Sequence, residues 1–111
     1  MEFNATLCST NGTEPWAANV DFVLVNNTLM TQLKTSYTHY KNIVKNGNVV
    51  IAYKELGSEI LIKASATVSG HEENIATVII KPTWARLVKS GSTNDTSDSN
   101  EIIGILTEKI S

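Results

Sequence analysis

The feature that most constrains this chain is the way its apolar residues alternate, in short runs closed off by tight-turn residues. Phe3, Ala5 and Leu7 alternate with Asn4, Thr6 and Cys8, the period of two that places one face of a strand in a core and the other in water. Asn11-Gly12 follows, and an Asn-Gly pair between apolar runs is the strongest short-range signal for a hairpin. A second strand is predicted from about Trp16 to Val25, a tight turn at Asn26-Asn27, and a third strand from Thr28 to Leu33. Three strands joined by such short connections form an antiparallel meander.

The period changes at Lys34. Tyr37, Tyr40, Ile43 and Val44 recur at helical spacing behind Thr35 or Ser36, either of which is a good N-cap. The helix is expected to run about ten residues and stop at Asn46-Gly47, with Gly47 supplying a left-handed terminal residue. Strand four follows at Val49–Tyr53 and strand five at Glu59–Ser69. Residues Gly70 to Asn74 read as a polar break and Ile75–Val88 as strand six. Pro82 cannot donate to a central ladder, so it marks a bulge, an edge or a kink. Residues 90–100, rich in Ser, Thr, Asn and Asp, read as a mobile loop, and the tail 101–110 is ambiguous between strand and helix. Six strands with one inserted helix describe a single-domain β-barrel, in which closure removes exposed sheet edges.

Composition narrows the function classes. At 111 residues the chain is one domain, with 41 % hydrophobic and 18 % charged residues, a globular balance. A formal charge of −2 argues against a general nucleic-acid or anionic-membrane surface. Cys8 is the only cysteine, which excludes an internal disulfide and any multi-cysteine zinc site. Four tripeptides match the N-glycosylation pattern, as expected by chance in a chain rich in Asn and Thr. There is no basic segment leading into an apolar one at the start and no apolar run of about 20 residues, so a soluble, cytoplasmic protein is the expectation.

No phosphate-loop, dinucleotide or nucleophile-elbow motif is present, and His39 and His71 are not spaced as a metal pair. One segment has chemical promise. Residues 34–42 join a strand end to a helix start and carry Lys34, Thr35, Ser36, Thr38 and Lys41. Free backbone N–H groups at a helix N-terminus favour an anion, hydroxyls add donors and lysines add charge. On spacing alone, an ordinary Ser/Thr cap with surface lysines is the simpler account.

The whole chain, however, resembles the FMN-binding split barrels related to pyridoxamine 5'-phosphate oxidase. The resemblance runs through Ala5-Thr6-Leu7, Asn11-Gly12-Thr13-Glu14-Pro15 and Asn19-Val20-Asp21-Phe22. It continues through Thr28-Leu29, residues 36–43 and Asn46-Gly47-Asn48-Val49, and ends in residues 60–66 and Trp84-Ala85-Arg86. No single segment is specific, but their order and spacing are. Two departures stand out: Ala64 occupies a position commonly glycine, and Arg86 is the sole arginine.

The resemblance implies an α+β, mainly β fold: a six- to seven-stranded antiparallel split β-barrel with one short helix after the third strand. It implies FMN as cofactor, with the phosphate held by Lys34, Thr35, Ser36 and Thr38 and more weakly by Lys41. Asn19 and Val20 would meet the flavin, Asn42 would brace the helix or touch ligand, and Trp84 would stack near the ring from a second subunit or pack as a core or interface aromatic. A homodimer follows, because family sites lie between subunits. The implied activity is flavin reduction by NAD(P)H or electron transfer with a redox partner. The alternatives are a barrel binding haem or a deazaflavin, and a cofactor-free adaptor.

Overall fold

The computed structural model describes residues 1–111. Strands β1 (Glu2–Thr10), β2 (Pro15–Val25) and β3 (Thr28–Lys34) form the expected meander, with Phe3 opposite Phe22 and Leu24 opposite Leu29. Asn26 and Asn27 have φ of 50° and 61°, the paired left-handed conformation whose twist matches a two-residue hairpin. Helix α1 (Thr38–Lys45) follows, then β4 (Asn48–Glu55), β5 (Ser58–Glu72), β6 (Ile75–Lys89), β7 (Ser92–Thr96) and α2 (Ser99–Ile110).

All seven strands belong to one sheet in the order β3-β2-β1-β4-β5-β6-β7, and a β3–β6 pairing closes the first six into an antiparallel barrel. Closure runs from Leu29 opposite Ile80 to Lys34 opposite Ile75. Strand β6 is long enough to serve two neighbours, pairing with β3 through its first half and with β7 through its second. The register between β5 and β6 shifts at Lys63/Ala64, where Thr83 is the extra residue beside Pro82. Proline sits where the ladder is already interrupted, as its missing N–H requires.

The inward faces of the strands supply a single core. Leu7, Phe22, Ile51, Ile60, Ile62 and Val78 are fully buried. Phe3 stacks on Phe22 at 5.4 Å, and Tyr53 meets Phe3 edge-on at 5.3 Å. Such aromatic pairs add to the burial energy of their area.

Three sequence expectations are corrected and one open reading is resolved. Residues 90–100 are not a loop: Ser92–Thr96 form β7, paired from Lys89 opposite Ser92 to Ala85 opposite Thr96. This edge strand is almost wholly exposed, so it carries no hydrophobic alternation. The backbone ladder holds it, together with a two-pronged Arg86–Asp95 ion pair at 2.8 and 2.9 Å. The tail is a second helix, α2, started by Asp98, whose carboxylate accepts from the backbone N–H groups of Asn100 and Glu101. The polar break at 70–74 is mostly strand, since β5 extends to Glu72 and includes His71, leaving only Glu73 and Asn74 to turn. Neither Thr35 nor Ser36 caps α1. The N-cap is Tyr37, without a side-chain cap hydrogen bond.

Gly47 also differs from its expected role. The cap residue is Asn46, in extended conformation, and Gly47 is needed instead for close approach. A Cβ there would lie 2.7 Å from the Ala66 carbonyl oxygen, and the Gly47 carbonyl itself accepts from the Ala66 N–H at 2.7 Å. Gly104, in α2, faces open space. The two glycines should therefore respond oppositely to alanine. Gly47→Ala is expected to destabilise by about 1–3 kcal/mol, because backbone must move. Gly104→Ala should stabilise by about 0.5–1 kcal/mol through helix propensity. Urea unfolding of the two variants checks both signs.

Candidate functional site

A cavity of about 390 Å³ opens between β2 and the start of α1. One wall is Trp16, Ala18, Asn19 and Val20; the other is Ser36, Tyr37, Thr38 and His39. Its volume lies in the range of small-molecule sites. The fold brings these walls together because β1–β2 pairing holds Asn19 opposite Thr6, while α1 lies against β1 after the turn that leaves β3. Thr6 fixes the Asn19 side chain through a 2.7 Å hydrogen bond to its Oδ1.

The second wall is a helix start with spare donors. The Lys41 N–H pairs with the Tyr37 carbonyl, and the Tyr37 N–H with that of Lys34. The N–H groups of Thr38, His39 and Tyr40 have no acceptor in the chain. Without a side chain from the N-cap to satisfy them, they are available to a ligand.

His39 adds a further donor or acceptor from below. Its ring is 3 % exposed, and its Nδ1 lies 2.6 Å from Ser9 Oγ. Asn42 Nδ2 donates to the same oxygen at 3.1 Å. His39 Nε2 is buried without a hydrogen-bond partner in the chain. Burial holds the imidazole below its ordinary value of 6.5, opposed in part by the nearby Ala18 backbone. That backbone lies near enough to favour a charged ring, yet it does not complete a hydrogen bond to Nε2. Buried polar atoms are rarely left unpaired, and this one belongs to a residue that lines the cavity.

The lowered value also has a consequence for folding. Because the folded state binds this proton less readily than the unfolded chain, the stabilisation is full above pH 6.5 and declines as pH falls below it towards the folded value. His39→Gln should remove this contribution. Its unfolding midpoint is expected to vary less between pH 7 and pH 5 than that of the unaltered chain.

Of the residues implicated from sequence, Asn19, Val20, Ser36 and Thr38 line this cavity. Lys34 and Thr35 do not. The Lys34 ammonium lies 6.0 Å from the Tyr37 ring centre, and the Thr35 N–H is tied to the Asn74 carbonyl at 2.8 Å. Lys41 is exposed on α1 and is not among the lining residues. Asn42 points inward to Ser9 and so braces the helix. Trp84 lies on β6, flanked by the Lys63 ammonium at 4.9 Å and the Arg86 guanidinium at 5.3 Å, and it lines no part of this cavity.

Sequence reasoning left out His39, Ser9 and Trp16, and read Tyr37 as part of the stripe that packs α1 onto the barrel. One signal was available: Ser9 continues the inward series Phe3, Ala5, Leu7, and a hydroxyl at a core position requires a buried partner.

Two other cavities compete poorly for an anionic ligand. One of equal volume, 390 Å³, is lined by Cys8, Ser9, Asn48, Val50, Lys63 and neighbours; it holds one cation, Lys63, and no helix terminus. Another of 510 Å³ is rimmed by Glu72 and Glu73, which repel anions.

Comparison of folds places this barrel among known proteins. A heme-binding protein from Mycobacterium smegmatis superposes with a TM-score of 0.74 at 14 % identity, over 92 % of this chain and 55 % of that one. ChuZ from Campylobacter jejuni gives 0.77 at 16 %, over 87 % of this chain and 55 % of its own. A candidate pyridoxamine 5'-phosphate oxidase from Listeria innocua gives 0.67 at 17 %, over 78 % and 89 %. The fold is the pyridoxamine 5'-phosphate oxidase-like split barrel. The split barrel of this chain spans about half the length of the first two proteins. No protein-family model matches its sequence, and no curated protein is significantly similar to it. None of its helices is long and apolar enough to cross a membrane.

Proposed function

We propose that this split barrel binds FMN in the cavity between β2 and α1 and serves flavin redox chemistry. The observation that carries the reading is the convergence of unused donors. The first turn of α1 has free N–H groups, and His39, whose Nε2 has no hydrogen-bond partner in the chain, lines the same cavity as Ser36 and Thr38. That donor set suits a phosphate.

In this reading Ser36, Thr38 and the α1 N–H groups hold the phosphate, while Asn19, Val20 and Trp16 from β2 orient the rest of the cofactor. Trp16, 49 % exposed, offers an aromatic face at the rim. FMN, when bound, supplies the redox chemistry; the protein supplies binding, orientation and exclusion of water. His39 is the only ionisable group among the lining residues besides the Tyr37 phenol, so the chain offers little acid–base help to a substrate. Hydride exchange with NAD(P)H, or simple electron transfer, makes no such demand and fits this wall best.

A homodimer belongs to the same proposal. Trp84 sits on the barrel away from the cavity, and a second copy is the route by which it would approach a flavin. Haem is the second reading, supported by the likeness to the heme-binding protein from Mycobacterium smegmatis. The absorption spectrum of the purified protein, with mass identification of any released cofactor, separates them. Flavin bands that bleach on anaerobic addition of NADH or NADPH are expected; a Soret band without flavin would overturn the FMN reading.

A further inference from the structure

The buried pair behind the cavity determines which ring nitrogen of His39 carries its proton. Asn42 Nδ2 has only hydrogens to give, and it gives one to Ser9 Oγ at 3.1 Å. The Ser9 hydroxyl is itself buried, 3 % exposed, and its one hydrogen needs an acceptor. The neighbour available is His39 Nδ1, at 2.6 Å. If Nδ1 accepts from Ser9, the neutral ring has its hydrogen on Nε2, the atom that lacks a partner in the chain.

We infer that Ser9 and Asn42 are positioning residues that lock His39 as the neutral Nε2–H tautomer, making it a fixed donor to a dianionic oxyanion in the cavity between β2 and α1. This rests on the proposed reading of that cavity as a phosphate site, and it adds the state in which His39 must be held. The arrangement also works as a filter. An Nε2 that carries hydrogen has no lone pair for a metal ion or a haem iron, so the cavity selects a phosphate-type oxygen over a metal. No aspartate or glutamate lines the cavity to repel the anion, and the acceptor the anion must outcompete is the Ala18 backbone.

Long-range proton–nitrogen NMR of the imidazole in the full ¹⁵N-labelled chain tests the inference, with sulfate as a dianion that does not titrate near neutrality and FMN as the phosphate-bearing probe. At neutral pH, Nδ1 is expected to show the shift of an unprotonated nitrogen and Nε2 that of a protonated one. Sulfate and FMN should each move the Nε2 resonance. Asn42→Asp reverses the chain of donors, because a carboxylate accepts the Ser9 hydrogen and leaves Ser9 Oγ to accept from Nδ1–H. The ring hydrogen should then be found on Nδ1, with sulfate affinity lowered about ten-fold. Ser9→Ala should lose the single-tautomer signature. A wild-type ring protonated at Nδ1 and bare at Nε2 overturns the inference whatever the variants do. FMN binding that leaves Nε2 unmoved overturns it while the cofactor reading stands. No response to either ligand overturns both.

Discussion

Replacing His39 with leucine is expected to weaken FMN about ten- to a hundred-fold while changing riboflavin affinity by less than about three-fold. The argument is local. Leucine fills much of the ring's volume but has no N–H, and a hydrogen bond to a charged group contributes about 1.5–3 kcal/mol. That energy converts to the stated factor. Riboflavin lacks the phosphate and has nothing to lose. The barrel should stay folded at a cost of about 1–3 kcal/mol, because the buried Ser9 hydroxyl keeps its hydrogen bond from Asn42 but loses its acceptor at His39. Fluorescence titration of both flavins against both proteins measures the ratio. Equal losses for FMN and riboflavin would show that His39 shapes the cavity without meeting the phosphate.

The second large effect concerns stability. Leu106→Ala should lower unfolding free energy by about 2–5 kcal/mol, the range for emptying a buried leucine site. Leu106 is fully buried and belongs to the same core as Phe22 and Ile60, alongside Ile102 and Ile103 from the same helix. Helix α2 is thus part of the barrel's core rather than an appendage. It is fastened at its far end by Lys109, which reaches the Glu55 carboxylate at 3.0 Å and also the Ser58 hydroxyl. Calorimetry should show a melting-temperature drop of about 10–20 °C, at several degrees per kcal/mol for a domain of this size. A drop of only a degree or two would mean that the helix is detachable.

The contrast between α2 and the meander shows what the sequence made legible. Strands β1 to β3 declared themselves because each has one wet face and one dry face, and because Asn-Gly and Asn-Asn suit left-handed turns. Strand β7 was invisible since both of its faces are wet: Ser92–Thr96 is held by backbone pairing and by Asp95 to Arg86, neither of which leaves a hydrophobic period. Helix α2 was half legible. Ile102, Leu106 and Ile110 gave its stripe, but Gly104 obscured it, and Asp98 was read as loop composition before its capping role was visible.

The site divides in the same way. Ser36 and Thr38, singled out because hydroxyls before a helix suggest an anion, line the cavity, as do Asn19 and Val20, implied through resemblance. His39 was passed over because it was weighed only as a metal partner of His71, for which the spacing is wrong. Only the structure shows its ring buried at 3 % exposure, gripped on one side by Ser9 and free on the other. Conversely, the resemblance implied Lys34 and, more weakly, Lys41 as phosphate ligands, and neither lines the cavity. A lysine's position in sequence does not fix where its long side chain reaches.

The central claim, that the β2–α1 cavity is built for a phosphate-bearing flavin, is tested most directly by comparing FMN with riboflavin on the unaltered protein by isothermal titration calorimetry. FMN should bind saturably and at least about ten-fold more tightly than riboflavin, the difference being the phosphate's share of the binding energy. Equal affinities, or no heat from either flavin, would contradict it.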